Sequence, residues 1–228
     1  LNTARFRQAL VNTVLFVSMG MAVGPTLGLF AALLLNAKIR FAGLFRTIYF
    51  IPVTTSLVVT ATIWKMMLNG QGVVNTILST FGFPVHSWLN DTNTSLVSVA
   101  AASIWQGFVG ETGVFLAALQ SIPRERYEAA EVDGAGFRRK LWHVTLPALK
   151  PTILFIYVIG IIGSFQVYDQ IFVMTQGGPI GSTYSIVYYV IDRFQALDLG
   201  AASAAAYRRV SVLAILSFVQ LRLSRERP

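Results

Sequence analysis

Cysteine is absent from the 228 residues, which excludes a disulfide framework, thiolate metal sites and a cysteine nucleophile. Histidine is nearly absent. His86 and His143 are the only two, too few for a multi-histidine metal site. Charge is scarce as well: Lys, Arg, Asp and Glu make up 12% of the chain, against about 25% in soluble domains. A water-exposed globule is therefore excluded. What the chain has in abundance is apolar surface, with 54% hydrophobic residues and a mean hydropathy of +0.61. Apolar runs recur at about 20 residues or more, the length that crosses a bilayer as a helix. The chain reads as an all-α polytopic membrane bundle forming one domain over residues 1–228.

Five apolar segments can be drawn: Val11–Leu35, Thr47–Leu68, Ser95–Leu119, Thr152–Thr175 and Ala201–Leu221. The net charge of +8 invites a nucleic-acid reading, but its placement argues against one. Alternate connections are basic: one carries Lys38, Arg40 and Arg46, the long one Arg124, Arg126, Arg138, Arg139, Lys140 and Lys150, and the tail Arg222, Arg225 and Arg227. Between Asn69 and Thr94 there is no Lys or Arg, and between Gln176 and Gly200 only Arg193. This alternation is the positive-inside pattern. It predicts that the 36–46 loop, the 120–151 loop and the C-terminus are cytoplasmic and that the N-terminus is outside. The Arg5 and Arg7 stretch precedes a 25-residue apolar run without a cleavage site, so a signal peptide is rejected, and a membrane helix upstream of Arg5 is expected.

Gly20, Gly24 and Gly28 recur every four residues with Ala32 continuing the stripe. Positions four apart share a helix face, and small residues there let a second helix approach closely within a bilayer. Pro25 beside the stripe is expected to kink or loosen the helix, and Lys65 to snorkel to the outer interface. Two intramembrane carboxyls are candidates for lining a solute path, because a charge at the helix centre costs about 2.5–3.5 kcal/mol or more. Glu111 lies among Gly107, Gly110 and Gly113; Asp169 lies in the polar cluster Gln166, Val167, Tyr168, Asp169 and Gln170.

The long cytoplasmic connection reads as two short helices. Pro123 suits a first helical turn, and Gly134 with Gly136 can end the helix that follows. A second helix is expected from about Phe137 to Thr145, stopping at Pro147. It should place Phe137, Leu141 and Val144 on one face and Arg138, Arg139 and His143 elsewhere. Ala129 and Ala130 beside Glu128 form a small flat surface with one charge, suited to insertion into another protein's groove.

These residues resemble the ABC importer permeases. Glu128, Ala129, Ala130, then Gly134 after three residues, then Val144, Leu146 and Pro147 match the EAA signature E-A-A-x3-G-x9-I-x-L-P, with Val144 in place of isoleucine. Asp133 and Ala135 suit its commoner extended form. The stretch from Asp169 to Thr175 followed by Gln176, Gly177, Gly178, Pro179 and Thr183 looks like the sugar-type, maltose-like branch, as does Phe6–Thr13. The resemblance implies a type I permease fold with about five membrane helices present here, where the family has six and its first is expected to be missing. It implies an ATPase-coupling loop within residues 121–150, with Tyr127, Glu128, Ala129, Ala130, Asp133, Gly134, Ala135, Leu146 and Pro147 as coupling residues. Glu111, Gln166, Tyr168 and Asp169 are the candidate solute path. The implied partners are a second permease subunit, a cytoplasmic ATPase dimer, an extracytoplasmic solute-binding protein and membrane lipid. The implied location is the prokaryotic inner membrane.

The function so implied is ATP-driven import of sugars or their derivatives by alternating access. This chain would be a non-catalytic subunit without cofactor or metal. It carries no G-x-x-x-x-G-K-[ST] loop to cradle phosphates, so ATP and magnesium would be bound by the partner. The alternative class is a proton-coupled secondary transporter using Glu111 or Asp169. A membrane enzyme lacks a Ser/His/Asp or paired-carboxylate constellation, and a channel lacks a selectivity ring. Arg208 and Arg209 interrupt the last apolar segment, and the expectation is that it crosses poorly, tilts or buries them.

Overall fold

Backbone groups in hydrocarbon must find partners within their own segment, so apolar spans are helical. The computed structural model describes residues 4–37 and 42–225, and among these every regular element is a helix. In chain order they are α1 (Ala4–Asn36), α2 (Ala42–Thr54), α3 (Leu57–Met67), α4 (Val73–Thr80), α5 (Ser95–Gln120) and α6 (Arg124–Val132). Then come α7 (Phe137–Lys140), a π-helical turn (Leu141–Thr145), α8 (Leu146–Ser164), α9 (Asp169–Met174), α10 (Ile186–Gln195) and α11 (Leu199–Arg225). Lys38, Arg40 and Arg227 lie outside the described residues.

Among the described residues three helices are long and apolar enough to cross a membrane: Ala4–Asn36, Phe137–Ser164 and Leu199–Gln220. The fourth candidate is a bent pair, α2 and α3. Helix α5 has 26 residues, about 39 Å at 1.5 Å per residue, and carries Gln106, Glu111 and Thr112. It occupies the centre. α1 lies along it, and α2, α3, α8 and α9 also pack against it, so Thr112 is buried and Gln106 and Glu111 are partly covered. The glycine stripe makes this close approach. A Cβ on Gly28 would stand 3.0 Å from the Glu111 Cβ and 3.4 Å from the Phe108 carbonyl oxygen.

The bundle has two distinct ends. At one, Ala32, Phe115, Leu116, Leu119, Ile122 and Leu149 form a buried cluster beneath the 121–150 loop. At the other, Phe6, Ala9, Ile186, Tyr189 and Ala205 cluster, with Ser95 and Ser182 hydroxyls 2.7 Å apart. The basic 121–150 loop lies at the first of these ends.

Two expected apolar segments divide. Thr47–Leu68 is not one helix: α2 and α3 meet at 96°. Pro52 has no N–H to give the Ile48 carbonyl, which weakens α2 near the break, and at the break itself the Thr55 carbonyl accepts the Gln106 Nε2 amide of α5 at 3.0 Å. Replacing Gln106 by leucine leaves that carbonyl unpaired, and we expect destabilisation of about 1–3 kcal/mol, measured as a lower thermal midpoint in detergent. Lys65 does more than snorkel, since its Nζ donates to the Val173 carbonyl of α9 at 2.8 Å. The segment Thr152–Thr175 likewise divides: α8 ends at Ser164, and the Gln166–Tyr168 backbone is non-helical before α9.

The last segment is one helix, α11, continuous through Arg208 and Arg209. The Arg208 guanidinium lies 5.5 Å from the Phe6 ring centroid on α1, an attraction that offsets part of the cost of a cation in an apolar span.

Candidate functional site

The 121–150 loop is built from caps. Pro123 precedes α6 rather than starting it. At the far end Gly134 takes φ +73°, which only glycine adopts without steric cost. Its N–H reaches the Glu131 carbonyl at 3.0 Å, and the Ala135 N–H reaches the Ala130 carbonyl at 2.8 Å. These two bonds are a Schellman cap, which satisfies the last carbonyls of α6 and turns the chain.

The expected second helix does not stop at Pro147. Residues Phe137–Ser164 form one continuous rod. The π turn at Leu141–Thr145 passes the Leu146 N–H to the Leu141 carbonyl, a wider register that accommodates the donor missing at Pro147. The same turn alters the face. Arg139 and Val144, five residues apart, line one groove of about 470 Å³ with Ala129, Ala130, Asp133 and Ala135. Arg126 and His143 line it too. Arg139 and His143 thus join Val144 instead of pointing away from it. A uniform 3.6-residue period could not show this.

Two contacts tie α6 to the rod. The Tyr127 hydroxyl lies 3.1 Å from Thr145 Oγ1, and its ring packs on the cluster containing Leu119 and Leu149. Lys140 Nζ donates to Glu131 Oε1 at 2.7 Å, and this hydrogen bond and the lysine charge hold the Glu131 carboxyl below its ordinary range. Glu128 and Ala129 stay exposed. In the same loop Val132, Phe137 and Trp142 are 88%, 71% and 67% exposed. Leu146 and Pro147 belong to the rod beyond the groove.

The solute-path candidates separate. Glu111 lines a cavity of about 190 Å³ between α1, α5 and α8 with Gly20, Gly24, Gly160 and Ser164; its buried Oε2 has no hydrogen-bond partner among the described residues. Gln166, Tyr168 and Asp169 do not line that cavity. Tyr168 stacks on Phe172, with ring centroids 5.5 Å apart, and packs on Tyr188 at 5.7 Å. Gln166 is exposed, and half-buried Asp169 opens α9.

The Gln176–Thr183 stretch forms a loop clamped from several sides. Asn12 Nδ2 donates to the Gly181 and Tyr184 carbonyls at 2.8 and 3.2 Å. Gln8 Nε2 donates to the Ile180 carbonyl at 3.2 Å, and the Ile186 N–H donates to Thr13 Oγ1 at 2.9 Å. Thr183 Oγ1 donates to the Gly178 carbonyl at 2.9 Å, and Gly178–Pro179 is cis. No motif in the sequence marks Gln8, Asn12 and Thr13 as the partners of this loop. Their polarity at the start of an apolar helix was the available signal.

With this geometry in place, the profile of the family described as "Binding-protein-dependent transport system inner membrane component" matches residues 24–227. The chain is 38% identical over 236 residues to the lactose transport system permease protein LacF of Rhizobium radiobacter, covering 99% of this chain and 78% of that one. It is 32% identical to the trehalose/maltose transport system permease protein MalF of Thermococcus litoralis, covering 100% of this chain and 77% of that one. Among solved structures, it is similar to a chain of a bacterial alginate ABC transporter in complex with an alginate pentasaccharide-bound periplasmic protein. The TM-score is 0.89 at 25% identity, covering 98% of this chain and 80% of that one.

Proposed function

The chain belongs to the family of binding-protein-dependent transport system inner membrane components, and from that membership we propose that it imports carbohydrate by alternating access driven by a separate ATPase. It is a multi-pass inner-membrane permease subunit of an ABC transporter. The carbohydrate class is suggested by relatives named for lactose, for trehalose and maltose, and for arabinooligosaccharides. The solute arrives on an extracytoplasmic binding protein, as the alginate transporter complexed with its periplasmic protein suggests. A second permease subunit completes the path.

The observation that carries the coupling is the uncovered groove on α6 and the π turn, joined rigidly to a membrane-length rod. A cytoplasmic ATPase dimer, which binds ATP and magnesium, takes Glu128, Ala129 and Val132 into a cleft. Its closure pulls α6. The Tyr127–Thr145 contact and the Lys140–Glu131 ion pair pass that displacement into the 28-residue rod, about 42 Å long. Ser164 at its far end lines the cavity shared with Glu111, so motion of the rod opens or closes that space. In this reading Glu111 faces the path from α5, and Tyr168 and Asp169 face it nearer the outer side.

The test is uptake of labelled lactose, maltose or arabinotriose by vesicles holding the permease pair, the ATPase and the binding protein. Uptake is expected only with internal ATP. Uptake driven by a proton gradient without an ATPase would overturn the proposal.

A further inference from the structure

At the end of the bundle opposite α6, the clamped loop forms one wall of a groove of about 530 Å³. The first turns of α1 contribute Arg5 and Gln8, the loop contributes Gln176 and Gly177, and α10 with the residue before its cap contributes Tyr184, Tyr188 and Asp192. This space is separate from the Glu111 cavity between α1, α5 and α8.

Its lining has a definite chemical character. Tyr184 and Tyr188 stand with ring centroids 5.1 Å apart at 57°, making an angled aromatic corner. The Tyr184 hydroxyl donates to the Asp192 carboxylate. Burial, together with that hydrogen bond and the Asp192 charge, pushes the phenol above its ordinary range and keeps it a donor. Arg5 brings a fork of donors and Asp192 and Gln176 bring acceptors. One cation and one anion leave the groove without net charge. Apolar ring faces beside paired donors and acceptors match a neutral molecule that has a C–H face and many hydroxyls.

The groove is also pre-organised. Gln176 and Ile180 hold φ +52° and +49°, a region non-glycine residues enter at a cost of about 1–3 kcal/mol each. Gly177 permits the backbone to press on the aromatic corner, since a Cβ there would come within 2.9 Å of Tyr184. Hydrogen bonds from Gln8, Asn12 and Thr183 hold the loop in this form. A wall held rigid before its occupant arrives spends less of the binding energy on ordering.

We infer that this groove is an outer subsite for a neutral, hydroxyl-rich carbohydrate, held against Tyr184 and Tyr188 by Arg5 and Asp192 on its way to the membrane-embedded path. The inference rests on the reading of this chain as a carbohydrate permease. The subsite gives the solute a defined stop between release from its carrier and passage through the bundle.

The absence of native cysteine makes a direct test available. Ile180 is on the rim, 89% exposed, and its left-handed backbone tolerates cysteine better than a β-branched residue. The Ile180→Cys variant is assembled with cysteine-free second permease and ATPase in vesicles, without binding protein, and labelled from outside with a charged maleimide. Millimolar lactose, maltose or arabinotriose, whichever the wild type imports, should slow labelling about tenfold, the ratio for a site about nine-tenths occupied. Adding Arg5→Gln or Asp192→Asn should reduce that protection to about twofold or less. An unchanged labelling rate without sugar shows that the rim is intact in these variants. Labelling indifferent to sugar, in an assembly whose wild type imports that sugar with ATP, overturns the subsite and leaves the permease reading standing. Protection by the binding protein alone also overturns it, making the groove a protein-docking surface. Absence of ATP-driven import of any carbohydrate overturns the permease reading and the subsite's ligand class together.

Discussion

Replacing Glu128 by lysine should leave a permease that inserts and folds but imports at about one-thirtieth of the normal rate or less, while the partner ATPase still hydrolyses ATP. Glu128 is exposed on α6 and has no ion pair among the described residues, so the fold itself loses little, within about 0.5 kcal/mol. The cost falls on the docked complex. A reversed charge in a buried, paired interface position costs about 2–5 kcal/mol, and about 1.4 kcal/mol is a factor of ten. Gly134→Val should act in the same direction by a different route, because a β-branched residue at φ +73° is strained by about 1–3 kcal/mol and opens the Schellman cap. Gly134→Asn, which tolerates that backbone, should retain most uptake. The measurement pairs labelled-solute uptake with phosphate release in one preparation. Normal uptake in both Glu128→Lys and Gly134→Val would remove α6 as the input of force.

The second large effect is Gly28→Leu. A Cβ at this position meets the Glu111 Cβ at 3.0 Å and the Phe108 carbonyl at 3.4 Å, and the carbonyl belongs to a helix backbone that cannot swing aside. The remaining carbons have no space, so α1 and α5 must part along their whole contact. Overpacking by a few carbons costs about 1–3 kcal/mol, and a leucine here should reach about 3 kcal/mol or more. We expect a thermal midpoint in detergent too low for the folded chain to be recovered. Gly110→Leu is the control, as nothing lies within 4 Å of a Cβ there. Similar losses from both variants would show that the stripe is not the contact that matters.

Features governed by neighbours in sequence were legible. The four-residue glycine spacing foretold the close approach of α1, because periodicity alone places those residues on one face. Gly134 announced the end of α6, because no other residue takes that backbone so readily. What could not be read were features completed by distant residues. The right-angle break after Thr54 needs the Gln106 amide, 51 positions away. Helix α11 keeps Arg208 in line through a ring 202 positions earlier, Phe6. The π turn ahead of Pro147 changes the spacing that any helical projection assumes, and so moved Arg139 onto the groove. Within the proposed coupling loop, the motif does not show which residues turn inward: Tyr127 packs on the buried cluster while Glu128 stays exposed.

The clasp between Asn12, Thr13 and the loop near residue 186 also has a consequence for biosynthesis. The two sides are separated by 169 to 173 residues, and translation proceeds at about 5–20 residues per second. Once α1 has left the ribosome, its amide and hydroxyl therefore wait about 8–35 seconds for the groups they will hold. During that interval the Thr13 hydroxyl can already donate to the Ala9 carbonyl of its own helix, whereas the Asn12 amide needs substitutes, from water at the membrane surface or from an insertion factor, and the far end of the bundle can close only after the residues near 186 have been made.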